Sequence, residues 1–391
     1  MEKKRSIIGL MGSLLINNIL YMFINTFMVA YFYTLTNYDY KIISVFYIMS
    51  FIFIVLTFLT LGKIIKNKMQ VPIFRFGIVL YCIYVLTISI LKENIVNYYI
   101  YLGIIYGIVQ GFLWSSGHLL VNEYANDVSN KFVSTKSMLS KTLKIIFPFI
   151  FGASIELTSF SSVATVVVIL SIIQFSFSLL IKEKDLTETK KYSLTSFVKY
   201  LKEIKKEKIK DFYKIMFCEG IIHYLLETLV TIMIVLTFKT NISLGVLTSI
   251  FSFCSIVSVY IFQRKLENNT TVLIISTIMS VLGVILLLFN INKATVIIYN
   301  LINNIFLILL VNNAEEKRYS IINNYKVITK DYLAEHQVIS EVSLNIARII
   351  GYTILFAISF LNNMLYFKIL LICVSIAIIY YARLMIKLNK N

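Results

Sequence analysis

Long apolar runs separated by short polar breaks extend along the whole chain. Their continuity predicts membrane-spanning helices, because the strands of a membrane β-barrel alternate apolar and polar positions. A helix crosses the hydrocarbon core with about 20 apolar residues, and this chain predicts an all-α polytopic membrane protein with twelve such spans. The predicted spans are residues 7–32, 42–61, 73–91, 98–121, 140–159, 162–181, 213–238, 244–262, 270–290, 294–313, 337–360 and 364–386.

Composition supports this prediction and narrows the class of protein. Of 391 residues, 58% are hydrophobic and 15% are charged, whereas soluble domains carry about 25% charged residues. Little chain remains for a secreted disulfide scaffold, a nucleic-acid-binding domain or a large catalytic domain. The sequence has no motif for a nucleotide, a metal or a catalytic nucleophile, so we predict neither an enzyme nor a cofactor. Core packing is the predicted role of Cys82, Cys218, Cys254 and Cys373.

The positive charges fall almost entirely on one side of the predicted spans. With the N-terminus inside, 31 of the 37 Lys and Arg residues lie in cytoplasmic segments and five lie outside. Cytoplasmic loops of membrane proteins are enriched in Lys and Arg. This distribution therefore predicts a multi-pass protein of the cytoplasmic membrane with both termini in the cytoplasm, and it accounts for the net charge of +17.

A basic stretch at 182–212 divides the spans into six and six. This division predicts two pseudo-symmetric six-helix bundles, residues 1–181 and 213–391, with the stretch as a cytoplasmic connector. Apolar residues from Leu194 to Ile204 recur there at helical spacing, with lysines on the other face and Ser193 available as a cap. Two interpretations stay open: a helix that lies on the inner leaflet, and a solvated helix that links the bundles.

Polar residues at matching depths indicate that the second half repeats the first. The first span carries Asn17, Tyr21 and Asn25, and the seventh carries Glu219, His223 and Glu227, at an offset of 202. The fourth carries Gln110, Trp114 and His118, and the tenth carries Asn300 and Asn304, at an offset of 190. Each set follows one face of a helix. Because hydrocarbon offers no hydrogen bonds, we expect these stripes to face one another across a wet cavity.

The acidic stripe of the seventh span has the clearest chemistry. Burial disfavours the charged forms of Glu219, His223 and Glu227, whereas each charge stabilises its oppositely charged neighbour. The cluster is therefore predicted to hold or release a proton as the cavity changes access. The alternative is a hydrogen-bond network that only positions the helix.

Two basic residues, Lys144 and Arg348, lie inside spans at pseudo-equivalent positions with an offset of 204. A cation at that depth needs a carboxylate, an anionic substrate or water, so both are candidates for anion recognition or for pairing with the acidic stripe. The alternative is snorkelling to the interface. Trp114 either stacks on a substrate or anchors the fourth span, and His118 either belongs to a cytoplasmic gate or is structural.

The whole chain resembles the major facilitator superfamily, whose pattern is twelve helices in two halves, a basic connector and inside termini. The family's loop between the second and third helices carries a Gly, then three residues, an Asp, an Arg, one residue and a second Gly. Gly62 is kept here, but Lys66 stands at the Asp position and Met69 at the second Gly. The segment Pro148-Phe-Ile-Phe-Gly152 is similar to the family's antiporter motif. The resemblance implies that the first, fourth, seventh and tenth helices line a central cavity.

These observations predict a monomeric secondary active transporter that works by alternating access. Its substrate is a small organic solute, an amphiphile or a zwitterionic metabolite, and protons are the predicted coupling ion, with efflux favoured over uptake. Membrane lipids are its other predicted partners, and no nucleic-acid partner is predicted. Two alternatives remain: a lipid flippase of the same fold, and a membrane sensor or partner subunit that has lost transport.

Overall fold

The computed structural model describes residues 2–66, 69–182, 191–204, 207–266, 270–311, 330–360 and 364–390. Over these residues the chain is helical and contains no strand. The α-helices are α1 Glu2–Met22, α2 Val29–Leu35, α3 Lys41–Lys66, α4 Gln70–Leu91, α5 Tyr99–Leu157, α6 Phe160–Ser178, α7 Leu194–Ile204, α8 Glu207–Phe238, α9 Asn241–Leu266, α10 Thr270–Phe289, α11 Lys293–Ile302, α12 Leu333–Ser359 and α13 Met364–Lys390.

Eleven described stretches are long and apolar enough to cross a membrane. One of them, Gln70–Val121, has 52 residues and contains both α4 and the start of α5, separated by a 3-10 segment at Lys92–Tyr98. Because about 20 residues suffice for one crossing, this stretch accounts for two spans. The all-helical, multi-pass architecture predicted from the apolar runs is thereby confirmed.

The 59-residue helix α5 folds back on itself. Tyr106 bonds to Asn25 of the first span, and Phe151, forty-five positions later, packs on Phe27 with ring centroids 5.8 Å apart. A straight helix would separate Tyr106 and Phe151 by about 67 Å. The chain therefore reverses within α5, whose two arms form the fourth and fifth spans.

Both chain ends lie at one end of the helix assembly, called here the terminal face. Ser6 donates to the carbonyl of Leu180, which places the start of α1 beside the end of α6. Lys387 near the end of α13 pairs with Asp211 at the start of α8 at 2.9 Å. The opposite face carries the turns between α2 and α3 and between α8 and α9.

The first six spans contact the last six mainly along two helix pairs. Helices α3 and α12 run antiparallel over their full length, from Lys41 over the Phe360 ring at one end to Lys66 and Glu335 at the other. Helix α5 packs against α9, where Glu156 accepts a hydrogen bond from the backbone N–H of Asn241. These pairs form the seam along which a central site can lie.

The connector helix α7 packs on protein. Its apolar side buries Phe197 completely against Tyr332, with ring centroids 5.4 Å apart, and the Tyr200 ring packs on the same ring in a tilted geometry at 4.8 Å. Ser193 caps the helix by accepting from the N–H of Ser196. The apolar face of α7 is thus occupied by the residues at the start of α12.

Two π-helical segments, Phe23–Met28 and Asn303–Leu307, interrupt the first and tenth spans. A π segment inserts one residue into a helix, turns the following side chains to a new face and is frequent at functional sites. It also frees backbone carbonyls, and Ser258 of α9 donates to the carbonyl of Ile305 in the second segment.

Candidate functional site

Arg348 lies near the middle of α12, between aromatic rings of the first half. Its guanidinium carbon is 5.3 Å from the Phe51 ring centroid on α3 and 5.7 Å from the Trp114 ring centroid on α5. Trp114 in turn contacts Tyr21 of α1 at 5.9 Å. Cation–π contacts stabilise a guanidinium that has left water. This arrangement, called here the central site, brings together Tyr21, Trp114 and Arg348, three residues that the sequence predicted for substrate binding.

A polar strip on α12 continues from the central site toward the terminal face. Arg348 Nη1 donates to Asn345 Oδ1 at 2.9 Å, and Asn345 Nδ2 lies 3.5 Å from Glu341 Oε2. Glu341 is 4% exposed, Asn345 is fully buried and Arg348 is 8% exposed. An acid and a base are thus linked through one amide within two helical turns.

On the terminal side of Trp114, the two halves are bonded to each other. Gln337 of α12 donates to the backbone carbonyls of Trp114 and Ser115 at 3.2 and 3.3 Å. Two positions earlier on α12, Glu335 Oε1 lies 2.7 Å from Lys66 Nζ, and the Lys66 and Glu335 side chains are 2% and 0% exposed. These contacts, called here the terminal closure, separate the central site from that face.

The terminal closure also holds the connector. Glu335 Oε1 accepts the backbone N–H of Ser193 at 3.0 Å. Tyr192 lies against Gly62 of α3, and burial, together with the nearby Glu335 carboxylate, raises the pKa of Tyr192 to about 12. Lys66, which stands at the family's Asp position, is therefore a buried cation whose partner is Glu335 of α12.

On the other side of the central site, aromatic and small residues join the halves. Tyr352 of α12 packs on Tyr47 of α3 at 4.7 Å and bonds to Thr228 of α8. At the α5–α9 crossing, a Cβ at Gly152 would lie 3.0 Å from the Cα of Gly245. This crossing, together with the Glu156 to Asn241 bond, is called here the opposite closure.

The stripe of the first span divides between different neighbours. Asn17 faces α6, where Gln174 Nε2 lies 3.5 Å from its Oδ1, whereas Tyr21 faces Trp114. Asn25, inside the π segment, accepts from Tyr47 and donates to Tyr106, each at 2.8 Å. The side chains of Asn17 and Asn25 therefore bond within the first half.

The stripe of the fourth span also spreads over several environments. Gln110 is fully buried, and among the described residues its amide nitrogen and oxygen have no hydrogen-bond partner. His118, one turn beyond Trp114, is exposed, as is Lys144 in the second arm of α5. Lys144 shares a helical stripe with Ser140, which accepts a 2.8 Å bond from Asn18 of α1.

The second half places its predicted residues at intermediate and buried depths. Glu219 and Glu227 on α8 are partly buried, and the side chain of His223 lies outside the described residues. Asn300 is fully buried and donates to the carbonyl of Val296, and Asn304 donates to the carbonyl of Asn300. The described bonds of these two asparagines remain within their own helix.

Sequence reasoning did not identify the two acids of α12, Glu335 and Glu341. It also did not identify the residues that Lys66 and Gly152 contact across the two closures. Glu335 and Glu341 lie near the predicted start of the eleventh span, where an acid resembles a residue at headgroup level. For Glu341 the available signal was its spacing from Arg348, about two helical turns along the same helix. In the described part of the chain, no group of three His, Cys, Asp or Glu side chains is placed to hold a metal ion.

The family model and the solved structures that match this chain agree on its fold. The family model described as Major Facilitator Superfamily matches residues 10–314. The crystal structure of a bacterial homologue of the iron transporter ferroportin, in an inward-facing state, is similar with a TM-score of 0.67 and 13% identity, covering 100% of this chain and 99% of that chain. The nucleoside transporter NupG is similar with a TM-score of 0.65 and 10% identity, at the same coverage. No curated protein matches the chain by sequence.

Proposed function

The chain belongs to the major facilitator superfamily, and from this premise we propose that it moves a small organic solute by alternating access as a secondary active transporter. Family membership makes it a membrane transporter of a small solute rather than an enzyme. The observation that carries the proposal is the central site, where Tyr21, Trp114 and Arg348 from three helices and both halves meet near mid-span.

The chemistry of the central site favours an amphiphile or a zwitterion. Aromatic rings offer apolar faces, Arg348 offers a planar cation for a carboxylate, and Glu341 supplies an acid two turns away. A binding site for an inorganic ion does not need aromatic rings. If the substrate were such an ion, the rings of Phe51 and Trp114 would have no role in binding it.

Two closures on either side of this site support alternating access. The terminal closure separates the central site from one face and the opposite closure separates it from the other, so opening either closure alone exposes the site to one side only. The structure describes both sets of contacts together.

The terminal face is the proposed cytoplasmic face of the cytoplasmic membrane. The 31 to five distribution of Lys and Arg supports this orientation through the enrichment of positive charge in cytoplasmic loops. The protein then acts as a monomer whose connector lies in the cytoplasm, and export from the cytoplasm is the proposed direction.

Protons are the proposed coupling ion, with Glu219 and Glu227 of α8 as carriers. Carboxylates within spans are costly unless they serve an ion or substrate pathway, and both side chains are partly buried. Protonation in one conformation and release in the other links their charge to the position of the closures.

Transport into reconstituted vesicles tests this proposal. The purified protein is reconstituted with an imposed pH gradient, and uptake is followed for labelled phenylalanine, ethidium and hippurate, which represent a zwitterion, an amphiphilic cation and an amphiphilic anion. We expect at least one probe to move faster than in protein-free vesicles, and we expect the Glu219→Gln and Glu227→Gln variants to lose the part driven by the gradient.

The matched control is Glu93→Gln, the same change at an exposed carboxylate of the 3-10 segment. Full gradient-driven transport in folded Glu219→Gln and Glu227→Gln proteins contradicts proton coupling through α8. No transport of any probe contradicts the proposed substrate class.

A further inference from the structure

An open cavity of about 360 Å³ lies at the terminal face, where the start of α4 meets the end of α6. Two cations and three apolar residues line it, namely Val71, Pro72, Arg75, Ile181 and Lys182. None of these residues belongs to the central site or to either closure. The cavity is therefore a separate feature of the first half.

Arg75 is fixed in the wall of this cavity by the carbonyl groups that end α6. Its Nη2 donates to the carbonyl oxygens of Ile181 at 2.8 Å and Ser178 at 3.2 Å, and its Nε donates to the same Ser178 oxygen at 3.3 Å. Among the described residues, Arg75 has no acidic partner and its Nη1 makes no hydrogen bond. The guanidinium is thus positioned by neutral groups and keeps N–H donors for an anion.

The start of α1 brings further positive charge to the same place. Ser6 donates to the carbonyl of Leu180 and accepts from the backbone N–H of Lys182. Lys4 and Arg5, which directly precede Ser6, are exposed, and neither forms an ion pair with a described residue. Three chain segments therefore gather four cations at one corner of the terminal face.

The apolar wall of the cavity continues onto the outer surface of the helices. Phe76, next to Arg75 on α4, is 52% exposed, and Leu179 at the end of α6 is 56% exposed. Val79 and Ile83 extend the same exposed stripe along α4. Exposed apolar side chains on a spanning helix lie against lipid acyl chains. The corner thus combines cations at its rim with an apolar surface that runs into the membrane.

We propose that this corner, called here the basic cavity, binds an anionic phospholipid. Arg75 and Lys182 hold the phosphodiester, whose oxygens match the N–H groups of a guanidinium, and the acyl chains lie along α4 and α6. Basic pockets between spans favour anionic headgroups. A zwitterionic headgroup carries an added cation, which the four cations repel. This site does not depend on what the protein transports.

Native mass spectrometry of the purified full-length protein in detergent tests the proposal. The protein is titrated with dioleoyl phosphatidylglycerol and with dioleoyl phosphatidylcholine, which share their acyl chains and differ in headgroup charge. We expect phosphatidylglycerol to bind about tenfold or more tightly than phosphatidylcholine. Glycerol 3-phosphate, a soluble phosphate without acyl chains, should leave phosphatidylglycerol bound when it is added in excess.

Variants locate the binding to the basic cavity. Lys182→Gln changes an exposed side chain and should weaken phosphatidylglycerol binding about fivefold, the contribution of one cation near a bilayer surface. Arg75→Gln, which also loses the bonds to α6, should weaken it further. Arg75→Lys keeps the charge without the planar donors and should fall between Arg75→Gln and the wild type.

Arg383→Gln on α13 is the matched control, because it makes the same change at an exposed arginine of the second half. Its phosphatidylglycerol affinity should equal that of the wild type. Phosphatidylcholine affinity should be the same in all of these variants.

Each contrary outcome has a distinct meaning. Equal affinity for the two lipids overturns the proposal. A loss in Arg383→Gln as large as that in Lys182→Gln shows that any cation of the protein surface suffices, and it overturns the basic cavity as a site. Displacement by glycerol 3-phosphate assigns the cavity to a soluble phosphate compound and overturns the lipid. If Arg75→Gln fails to fold, Lys182→Gln decides, and none of these results depends on transport of any probe.

Discussion

The terminal closure and the opposite closure join the same two halves with different chemistry. At the terminal closure, a buried ion pair between Lys66 and Glu335 is supplemented by the backbone N–H of Ser193. At the opposite closure, Gly152 and Gly245 bring two helix backbones into contact. One closure therefore depends on charge and the other on volume.

This difference determines what opens each side. Separating a buried ion pair exposes two charges that water then solvates, so the terminal closure has a compensated route to opening. Separating two glycine-lined backbones loses dispersion contacts that water does not replace equally. The terminal closure is accordingly sensitive to single changes of charge, and the opposite closure to single added carbon atoms.

The largest expected effect is at the ion pair. Glu335→Gln leaves the Lys66 ammonium buried without its carboxylate, and breaking a buried pair costs about 3–5 kcal/mol. The loss is measured as the decrease in unfolding free energy of the detergent-solubilised protein in denaturant. The double variant Lys66→Met/Glu335→Leu removes both charges and should recover most of that loss.

The exposed pair Lys41 and Asp39 provides the control. Its atoms are 3.7 Å apart and its side chains are 35% and 42% exposed, so Lys41→Met should cost about 1 kcal/mol or less. Equal losses at the two pairs contradict a special role for the terminal closure.

Apolar periodicity predicted the fold well because the bilayer imposes a single rule on every span. Each span must be apolar for about 20 residues, and that requirement is visible without knowledge of any contact. The reversal inside α5 illustrates the limit: the apolar runs on either side of it were predicted as two separate spans, whereas residues from Tyr99 to Leu157 are all helical, including those at which the chain turns back. Hydrogen bonding across the connection has no signature in the apolar pattern.

The candidate site was less predictable because it depends on helix faces and distant partners. Uniform α-helical spacing placed Asn17, Tyr21 and Asn25 on one stripe, but the π segment at Phe23–Met28 turns Asn25 toward other neighbours. Lys66 departs from the family motif, and the acid that compensates for it lies 269 positions away. A single sequence contains no rule that pairs two such residues.

The second prediction concerns the opposite closure. Gly152→Ala places a Cβ 2.5 Å from the carbonyl oxygen of Asn241 and 3.0 Å from the Cα of Gly245, and overpacking of this kind costs about 1–3 kcal/mol. The variant should open the opposite face while the terminal closure stays intact. Spin labels at the exposed positions Thr158 and Thr240 should therefore show a longer distance.

Gly351→Ala on α12 is the matched control, because the nearest atom to its new Cβ is Leu225 Cδ2 at 3.7 Å, an ordinary contact. It should leave the label distance unchanged and raise stability slightly through helix propensity. An unchanged distance in Gly152→Ala contradicts closure by glycine packing.

The smallest expected effect concerns the connector at the terminal closure. Burial and the Glu335 carboxylate raise the pKa of Tyr192 to about 12, above the value of about 10 for a free tyrosine. The folded state holds this proton more tightly than the unfolded state, so the stabilisation is complete below about pH 10 and is lost as the pH rises toward about 12. Between these pH values, the midpoint temperature of thermal unfolding should therefore fall less steeply with pH in Tyr192→Phe than in the wild type. Because Tyr192 is only partly buried, solvent screening keeps the difference small.

Tyr98→Phe, at an exposed tyrosine on the opposite face, is the control and should follow the wild-type profile. If the profile of Tyr192→Phe is also identical to that of the wild type, the connector is not docked at the terminal closure.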